Sequence, residues 1–270
     1  MSKRDAKLQE WLDRFISSSL AARYERCNAD MTVVDWSPEE LKTYLGTYFP
    51  RSYAEAYCIF SDYFMSSSDA YATKESLTIF DLGCGTGGEL MGLLRAIEEC
   101  LPSVRRAVVR ALDGNKCSVD FCRQIVEQYK ANSNRLSVDY QVGHYVIDHP
   151  SDLEVIGHAM RLNYDLIISF KMMCEVVTQK RLGDRNPYVE FVKIFSPRLS
   201  ADGMVCMADV TSFNKVASRW LPDMLDEGVT ASGGCVVFRN AGYHEEFRVS
   251  HTLNQCDCSK LAWRFVRFDQ

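Results

Sequence analysis

The sequence has no long hydrophobic run. A membrane-spanning helix needs about 18 consecutive apolar residues. No apolar stretch in the 270 residues approaches that length. The first residues, MSKRDAKLQEWLDRF, mix acidic with basic side chains, which does not fit a secretory signal or a transit peptide. We therefore predict a cytoplasmic protein with no membrane partner.

An excess of positive charge is also absent. The chain has 31 Lys and Arg against 36 Asp and Glu, a formal net charge of -5. Such a molecule repels polyanions unless a local basic patch overcomes its field, and pairs such as Arg105-Arg106 and Lys180-Arg181 are too sparse to form one. The charge balance favours a small-molecule or protein partner over RNA.

A complete metal-binding motif is missing as well. Among the eleven cysteines, Cys256 and Cys258, with Cys235 upstream, form the single cluster that resembles a set of metal ligands. A CxC pair without a second pair or a nearby HxxxH is a weak zinc motif. We predict reduced, mostly core-filling thiols and no metal.

Residues 1–75 read as helical. The sequence Ser37-Pro38-Glu39-Glu40 has the pattern of a capping box with proline at the first helical position, and Pro50 ends that helix. The polar stretch 66–76 then marks a boundary between a helical N-terminal cap, 1–75, and a second domain, 76–270.

The cap helices are rich in aromatic residues. These residues either line a pocket as a lid or pack onto the sheet domain, and packing is the favoured interpretation. Arg51 is the charged residue of the cap to test.

From residue 77 onward, short apolar runs alternate with amphipathic segments. The runs are LTIFDL (77–82), AVVRAL (107–112), LSVDYQV (136–142), YDLIISF (164–170) and GMVCMADV (203–210), and helices are predicted near 88–100, 117–132, 151–161 and 187–197. This rhythm predicts an α/β fold with a mainly parallel sheet. Because no long helix separates EEFRVSHT (245–252) from LAWRFVRF (261–268), these two form an antiparallel hairpin at the sheet edge.

The stretch IFDLGCGTGGEL, residues 79–90, satisfies GxGxxG between a strand and a helix. The pattern alone fits dinucleotides and other adenosine-containing cofactors. Asp81 stands two residues before the first glycine, where a carboxylate would repel a pyrophosphate and attract a ligand that carries an ammonium and a sulfonium. The charge favours S-adenosylmethionine over NAD, although Asp81 is also a candidate cap of the next helix.

The next predicted strand, AVVRAL, runs directly into Asp113-Gly114-Asn115. An acid at this strand end can accept hydrogen bonds from both ribose hydroxyls of an adenosine cofactor. An aspartate before glycine is also common in turns. The evidence for a ribose-binding role of Asp113 is therefore its position at the end of the strand.

With these marks, the sequence resembles the class I, Rossmann-like S-adenosylmethionine-dependent methyltransferases over residues 77–210. The resemblance implies a seven-stranded, mainly parallel sheet of order 3-2-1-4-5-7-6, with strand 7 antiparallel. It implies that the methionine end of the cofactor is held by the first motif, and that the strand ends supply further contacts. The cofactor-binding candidates of the turn and the next strand end are Asp81, Gly83, Cys84, Gly85, Gly87, Asp113 and Asn115.

After the third and fourth strands the sequence departs from common members of that family. Val142-Gly143-His144-Tyr145 has no acid for the adenine amine, so His144 or Tyr145 is the candidate contact, with a structural histidine as the alternative. The substrate-facing motif reads Ser169-Phe170-Lys171-Met172-Met173-Cys174-Glu175, without the proline-rich signature of many amino-group methyltransferases. Asn186-Pro187-Tyr188 comes too late for that signature and predicts a helix start. Ser169 and Phe170 are further cofactor candidates.

Lys171 and Glu175 are the ionisable pair at the mouth of the predicted site. One of them is a candidate general base, and the alternative is an i,i+4 ion pair at a helix start. Methyl transfer can also proceed by positioning alone. Cys174 lacks the Pro-Cys setting of a covalent cysteine mechanism.

The resulting prediction is an S-adenosylmethionine-dependent methyltransferase that acts on an oxygen or nitrogen of a small molecule or protein. An RNA methyltransferase, a non-catalytic cofactor-binding assembly or regulatory protein, and an NAD-dependent oxidoreductase are the alternatives. The acceptor and the oligomeric state stay open.

Overall fold

The fold is seen in a computed structural model that describes residues 4–25 and 34–268. The chain forms two compact units. The first comprises Met1–Leu77, Cys84–His144 and Glu246–Ser259, and the second comprises Thr78–Gly83, Tyr145–Glu245 and Lys260–Gln270.

The first unit holds the N-terminal helices and the two helices that follow the glycine turn and the next strand. The helices are α1 (Glu10–Arg14), continued by a π-helix (Phe15–Ser19), α2 (Pro38–Thr47), α3 (Phe49–Ser66), α4 (Ser68–Tyr71), α5 (Gly88–Cys100) and α6 (Lys116–Asn132). The predicted capping box is present: the Ser37 hydroxyl accepts from the N–H of Glu40 (3.4 Å), and the Glu40 carboxylate accepts from the N–H of Ser37 (2.7 Å). The predicted start of α2 is confirmed.

We expect Ser37→Ala to lower the free energy of unfolding by about 1 kcal/mol, because α2 loses the side-chain acceptor for its first turn. Thermal or urea unfolding measures the change. Ser37→Thr, which keeps a capping hydroxyl, is the matched control and should stay within about 0.5 kcal/mol of the wild type. Equal loss in both variants would contradict the capping explanation.

Helices α3 and α5 pack backbone to backbone. A Cβ atom on Gly92 would lie 2.3 Å from the carbonyl oxygen of Tyr53 and 2.8 Å from the nitrogen of Tyr57. Arg95 of α5 lies over the Tyr57 ring, 4.1 Å from its centroid, and donates to the Tyr53 hydroxyl (2.7 Å). The aromatic side chains of α3 are buried: Tyr53, Tyr57, Phe60, Tyr63 and Phe64.

The strands of the first unit form two parallel pairs. Strand β3 (Arg106–Asp113) pairs with β4 (Ser137–His144) along their full length, with Asp113 opposite His144. Strand β1 (Asp5–Lys7) pairs with β10 (Glu245–His251). Strand β1 was not predicted, because three residues are too few to show a period of two.

The second unit contains the other parallel strands and the antiparallel strand that follows them. Its strands are β2 (Ser76–Leu82), β5 (Tyr164–Phe170), β6 (Leu199–Val210), β7 (Phe213–Asn214), β8 (Arg219–Trp220), β9 (Cys235–Arg239) and the second half of β11 (Asn254–Arg267). Strands β2, β5 and β6 lie side by side and parallel, and β11 runs antiparallel to β6. This order of four strands is the 1-4-5-7 part of the predicted sheet.

Strand β11 begins just after β10, its neighbour in the sheet. Only Thr252 and Leu253 separate the two strands, so the predicted hairpin is confirmed. A further strand, β9, pairs antiparallel with the second half of β11.

The α-helices in the described part of the second unit are α7 (Pro150–Ala159), α8 (Met173–Thr178), α9 (Pro187–Phe195) and α10 (Leu221–Ala231). The prediction that Asn186-Pro187 starts a helix is confirmed, since the Asn186 side chain caps α9 by accepting from the N–H of Tyr188 (3.1 Å). Helix α10 was not predicted, although Pro222 in its first turn and Gly233 after its end are boundary signals of the usual kind. None of the helices in the described ranges combines the length and the apolar character that crossing a membrane requires.

Candidate cofactor-binding site

The glycine turn lies between the end of β2 and the start of α5. Gly85 and Gly87 have positive φ angles of 48° and 89°, which side chains rarely adopt. Space is short as well: a Cβ on Gly85 would lie 3.2 Å from the Tyr44 hydroxyl, and one on Gly87 would lie 2.6 Å from the Cys122 sulfur. The turn therefore requires glycine at both positions.

Asp113, at the end of β3, is bound directly to this turn. The N–H of Gly85 donates to Oδ2 of Asp113 (2.8 Å), and the N–H of Asn115 donates to Oδ1 (2.8 Å). The N–H of Cys84 also donates to the carbonyl of Leu112 (3.1 Å). An ionised carboxylate can accept about four hydrogen bonds, so two acceptor positions remain for ligand hydroxyls.

A parallel strand, a glycine turn that opens a helix, and an acid at the end of the next strand follow one another in this chain. The fold is Rossmann-like. In such open α/β sheets, ligands bind beyond the carboxyl ends of the strands, which is where this turn and Asp113 stand.

The electrostatic environment of Asp113 is set by burial. Burial raises the pKa of its carboxyl group, and the N–H donors of Asn115 and Gly85 and the nearby His144 lower it in part, so that the net shift is upward. His144 stands opposite Asp113 in the β3–β4 register, and its Nε2 donates to the carbonyl of Gly114 (2.9 Å). The predicted adenine-side histidine thus lies beside the predicted ribose acid.

Asn115 and Tyr145 have partners within their own units. The Asn115 side chain caps α6 by accepting from the N–H of Ser118 (2.9 Å), and its amide nitrogen donates to the carbonyls of Val34 (3.1 Å) and Trp36 (2.9 Å). The Tyr145 hydroxyl donates to Asp152 (3.5 Å). Asn115 therefore holds the start of α6, and its backbone N–H, not its side chain, reaches Asp113.

Buried polar atoms test whether the site suits a polar cofactor. Asp81, near the end of β2, is fully buried. Two further hydroxyls, of Thr86 in the turn and Ser169 near the end of β5, are buried and have no hydrogen-bond partner among the described residues. Because buried hydroxyls are normally hydrogen-bonded, both fit groups that a bound polar ligand satisfies.

The segment after β5 turns sharply. Lys171 has a positive φ of 57°, and its N–H donates to the carbonyl of Ala208 in β6 (2.8 Å). A Cβ on Gly83 would lie 2.4 Å from Cβ of Met172, so this segment presses on the end of β2. Lys171 and Glu175 are both half-buried, the first directly after β5 and the second in the first turn of α8. The predicted pair thus lies at the carboxyl end of a parallel strand.

Asp209, near the end of β6, organises this segment and was not predicted. Its Oδ2 accepts from the N–H of Cys174 (3.0 Å) and from the Tyr188 hydroxyl (2.8 Å), and its Oδ1 accepts from the N–H of Val210 (2.8 Å). Burial raises the pKa of its carboxyl group despite these donors. An aspartate inside the apolar run GMVCMADV was the available signal, because a buried acid at a strand end needs partners.

Cys174 is poorly suited to act as a nucleophile. Its Sγ donates to the carbonyl of Lys171 (2.9 Å), and burial raises the pKa of the thiol well above its ordinary value. The thiolate is the nucleophilic form, so this environment opposes covalent chemistry at Cys174.

Arg51 has a structural partner. Its Nε and Nη2 donate to Oδ2 (2.9 Å) and Oδ1 (2.8 Å) of Asp257, which is buried in the first half of β11. This bidentate pair joins the start of α3 to the C-terminal hairpin.

The chain is similar in fold to several solved structures of methyltransferases. Magnesium protoporphyrin IX methyltransferase from Synechocystis, with bound S-adenosylmethionine, is 14% identical with a TM-score of 0.48, over 97% of this chain and 98% of its own. Precorrin-6y C5,15-methyltransferase from Geobacter metallireducens is 12% identical with a TM-score of 0.46, over 77% and 86%. A putative RNA methyltransferase from Pyrococcus horikoshii is 11% identical with a TM-score of 0.45, over 94% and 94%. No family profile and no curated protein matches the chain.

Proposed function

We propose that the chain is an S-adenosylmethionine-dependent methyltransferase of the class I, Rossmann-like family. The observation that carries the proposal is the hydrogen bond from the N–H of Gly85 to Asp113, which joins the glycine turn to the strand-end acid. A turn that admits only glycine and an acid with free acceptor positions suit an adenosine cofactor, and the buried Asp81 supports the sulfonium cofactor over a pyrophosphate.

Each part of the site has a proposed task. Asp113 accepts hydrogen bonds from the ribose hydroxyls. His144 and Tyr145 are the proposed contacts of the adenine, and Asp81 and the glycine turn are the proposed contacts of the methionine end. Ser169 and Phe170, at the end of β5, are proposed as further cofactor contacts. When bound, the cofactor supplies a methyl group already activated by its sulfonium. The chain's contribution is to orient the acceptor, exclude water and remove a proton where the acceptor carries one.

The pH dependence of cofactor binding follows from Asp113. Ribose hydroxyls donate hydrogen bonds to the ionised carboxylate. Because the pKa of Asp113 is raised, its ionisation is completed at a higher pH than that of an ordinary aspartate, whose pKa is about 3.9. We expect the affinity to fall as the pH falls toward that raised pKa. In the ligand-free protein the sign is opposite: this group's contribution to stability is present at low pH and is lost as the pH rises through the raised pKa. Calorimetric titration at several pH values, with Asp113→Asn as a pH-independent control, measures the effect.

We propose Glu175 as the general base of the pair. A carboxylate has oxygen atoms that can accept a proton, whereas a lysine ammonium has donors and no acceptor. We expect Glu175→Gln to lower kcat by about 100-fold and to leave the Kd for S-adenosylmethionine unchanged. Lys171→Met is the comparison. Unchanged kcat in both variants would exclude a general base at these two positions, and catalysis would then depend on positioning of the acceptor alone.

The acceptor is proposed to be an oxygen or nitrogen of a small molecule or protein, since the net charge of -5 disfavours RNA. Residues 1–75 are proposed to act as a cap over the domain of residues 76–270. Incubation of the protein with radiolabelled S-adenosylmethionine and fractionated cell extract tests the activity. Label in a fraction supports the proposal, and the class of that fraction identifies the acceptor. Cofactor binding without label in any fraction would favour a non-catalytic assembly protein.

Calorimetry separates the cofactors independently of activity. We expect S-adenosylmethionine to bind and NAD to give no heat. Binding of NAD alone would overturn the role of Asp81 and favour an oxidoreductase.

A further inference from the structure

The first half of β11 presents two thiols on one face. Cys256 and Cys258 are exposed, and Asp257 between them is buried, as the alternation of a strand requires. The N–H of Cys256 donates to the side chain of Asn254 (3.0 Å), and the N–H of Cys258 donates to Asp257 (2.9 Å). The backbone that carries both thiols is therefore held by local hydrogen bonds.

Asp257 fixes the direction of this face. Arg51 clamps its carboxylate with two hydrogen bonds of 2.9 and 2.8 Å, Tyr24 donates to it at 3.4 Å, and Nε2 of His251 lies 3.9 Å away. Burial raises the pKa of Asp257, but His251 and the Arg51 guanidinium outweigh burial, so that the net shift of this pKa is downward. With the central side chain anchored inward, the two flanking thiols are directed outward together.

Both thiols line a groove of about 410 Å³ in the first unit. Strand β1 and strand β10 supply the other walls, with charged side chains of both signs: Asp5, Glu246 and Arg248. The groove gives a small ligand access to two sulfur atoms at once.

The spacing disfavours a disulfide between these cysteines. Residues i and i+2 of a strand are about 6.6 Å apart at Cα, near the upper end of the range for disulfides, whose usual value is about 5.5–6 Å. Formation of the disulfide would distort the strand backbone, which the Arg51–Asp257 ion pair holds in place. An ion bound to both sulfur atoms relaxes this demand, because two metal–sulfur bonds of about 2.3 Å place the sulfurs up to about 4.6 Å apart.

The donor set selects the kind of ion. Structural zinc needs four ligands, and no group of three or more His, Cys, Asp or Glu suited to a metal occurs in the described part of the chain. Two thiolates suit a soft cation that accepts two ligands, such as Cu(I). We propose that Cys256 and Cys258 form a two-coordinate site for a soft monovalent cation, separate from the cofactor turn. On binding, two S–Cu bonds form and the two thiol protons pass to solvent. Arg248 on the groove wall offsets the negative charge of the resulting complex.

Titration of the whole protein with Cu(I), under anaerobic reducing conditions and against a chromogenic copper chelator, tests this site. We expect one tight equivalent per chain, and X-ray absorption should show two sulfur ligands on the copper. Cys256→Ser and Cys258→Ser should each weaken binding at least about 100-fold, since one thiolate remains. Cys235→Ser, which removes another exposed thiol, is the matched control and should leave binding unchanged.

Three results would overturn the site: no binding that competes with the chelator, unchanged binding in the Cys256→Ser/Cys258→Ser double variant, or one copper shared between two chains. Both substituted side chains are exposed, so the variants should unfold at the wild-type temperature. Because the cofactor is not needed, the result is independent of methyl transfer.

Discussion

Asp113→Asn is expected to weaken S-adenosylmethionine binding by about 100-fold, or about 2.7 kcal/mol. Both carboxylate oxygens of Asp113 accept backbone N–H groups, one from Gly85 and one from Asn115. Whichever way the new amide is turned, its NH2 group faces one of these donors, so the variant disturbs the glycine turn as well as the ribose contacts. Isothermal titration calorimetry measures the change.

Asp120→Asn is the matched control for this substitution. Asp120 lies on α6, with about half of its side chain exposed in an i,i+3 pair with Arg123, so removal of its charge should leave the affinity unchanged. The unfolding temperature of Asp113→Asn must also be recorded, to show that the protein remains folded. A folded Asp113→Asn protein with wild-type affinity would remove the ribose role of this acid.

Gly92→Ala should destabilise the protein by about 2–3 kcal/mol. Replacement of a glycine inside a helix by alanine ordinarily raises the free energy of unfolding by about 1 kcal/mol. A decrease at Gly92 would therefore have the opposite sign to that expected from helix propensity. The cause is the added Cβ atom, which would lie 2.3 Å from the Tyr53 carbonyl oxygen and must push α3 and α5 apart. Urea unfolding followed by circular dichroism measures the free energy.

Gly233→Ala provides the comparison. Gly233 has a positive φ of 71°, but a Cβ atom added there would meet no other atom within 4 Å, so the cost is conformational and about 1 kcal/mol. A stabilised Gly92→Ala protein would mean that the two helices are not in backbone contact.

The regular elements were predictable where the sequence is periodic or capped. The capping box at Ser37 and the helix start at Asn186 are local signals, since the residues that form the hydrogen bonds are neighbours in the sequence. The strands of the parallel sheet are short apolar runs that alternate with helical segments along the sequence. Strand β1 was missed because its pairing with β10 depends on residues more than two hundred positions away.

The candidate site divides in the same way. Asp113 and the glycine turn were predictable, since a strand end and glycine spacing are visible in the sequence. The bond that joins them is not, because it depends on how the strand and the turn meet. Arg51 was predicted only as a charged residue of the cap to test, and its partner Asp257 lies 206 residues away, so only the folded chain shows the ion pair.

The carboxylate of Asp209 bears on the order of folding events. Its donors come from Cys174, Tyr188 and Val210, so all of its hydrogen bonds can form only after the start of α8, the end of β6 and the start of α9 have come together. Contacts of this separation in sequence form slowly, because the connecting chain must lose entropy first. The amide hydrogen of Cys174 should therefore gain protection from exchange late in refolding, and in the native protein it should exchange only when α8 separates from the end of β6.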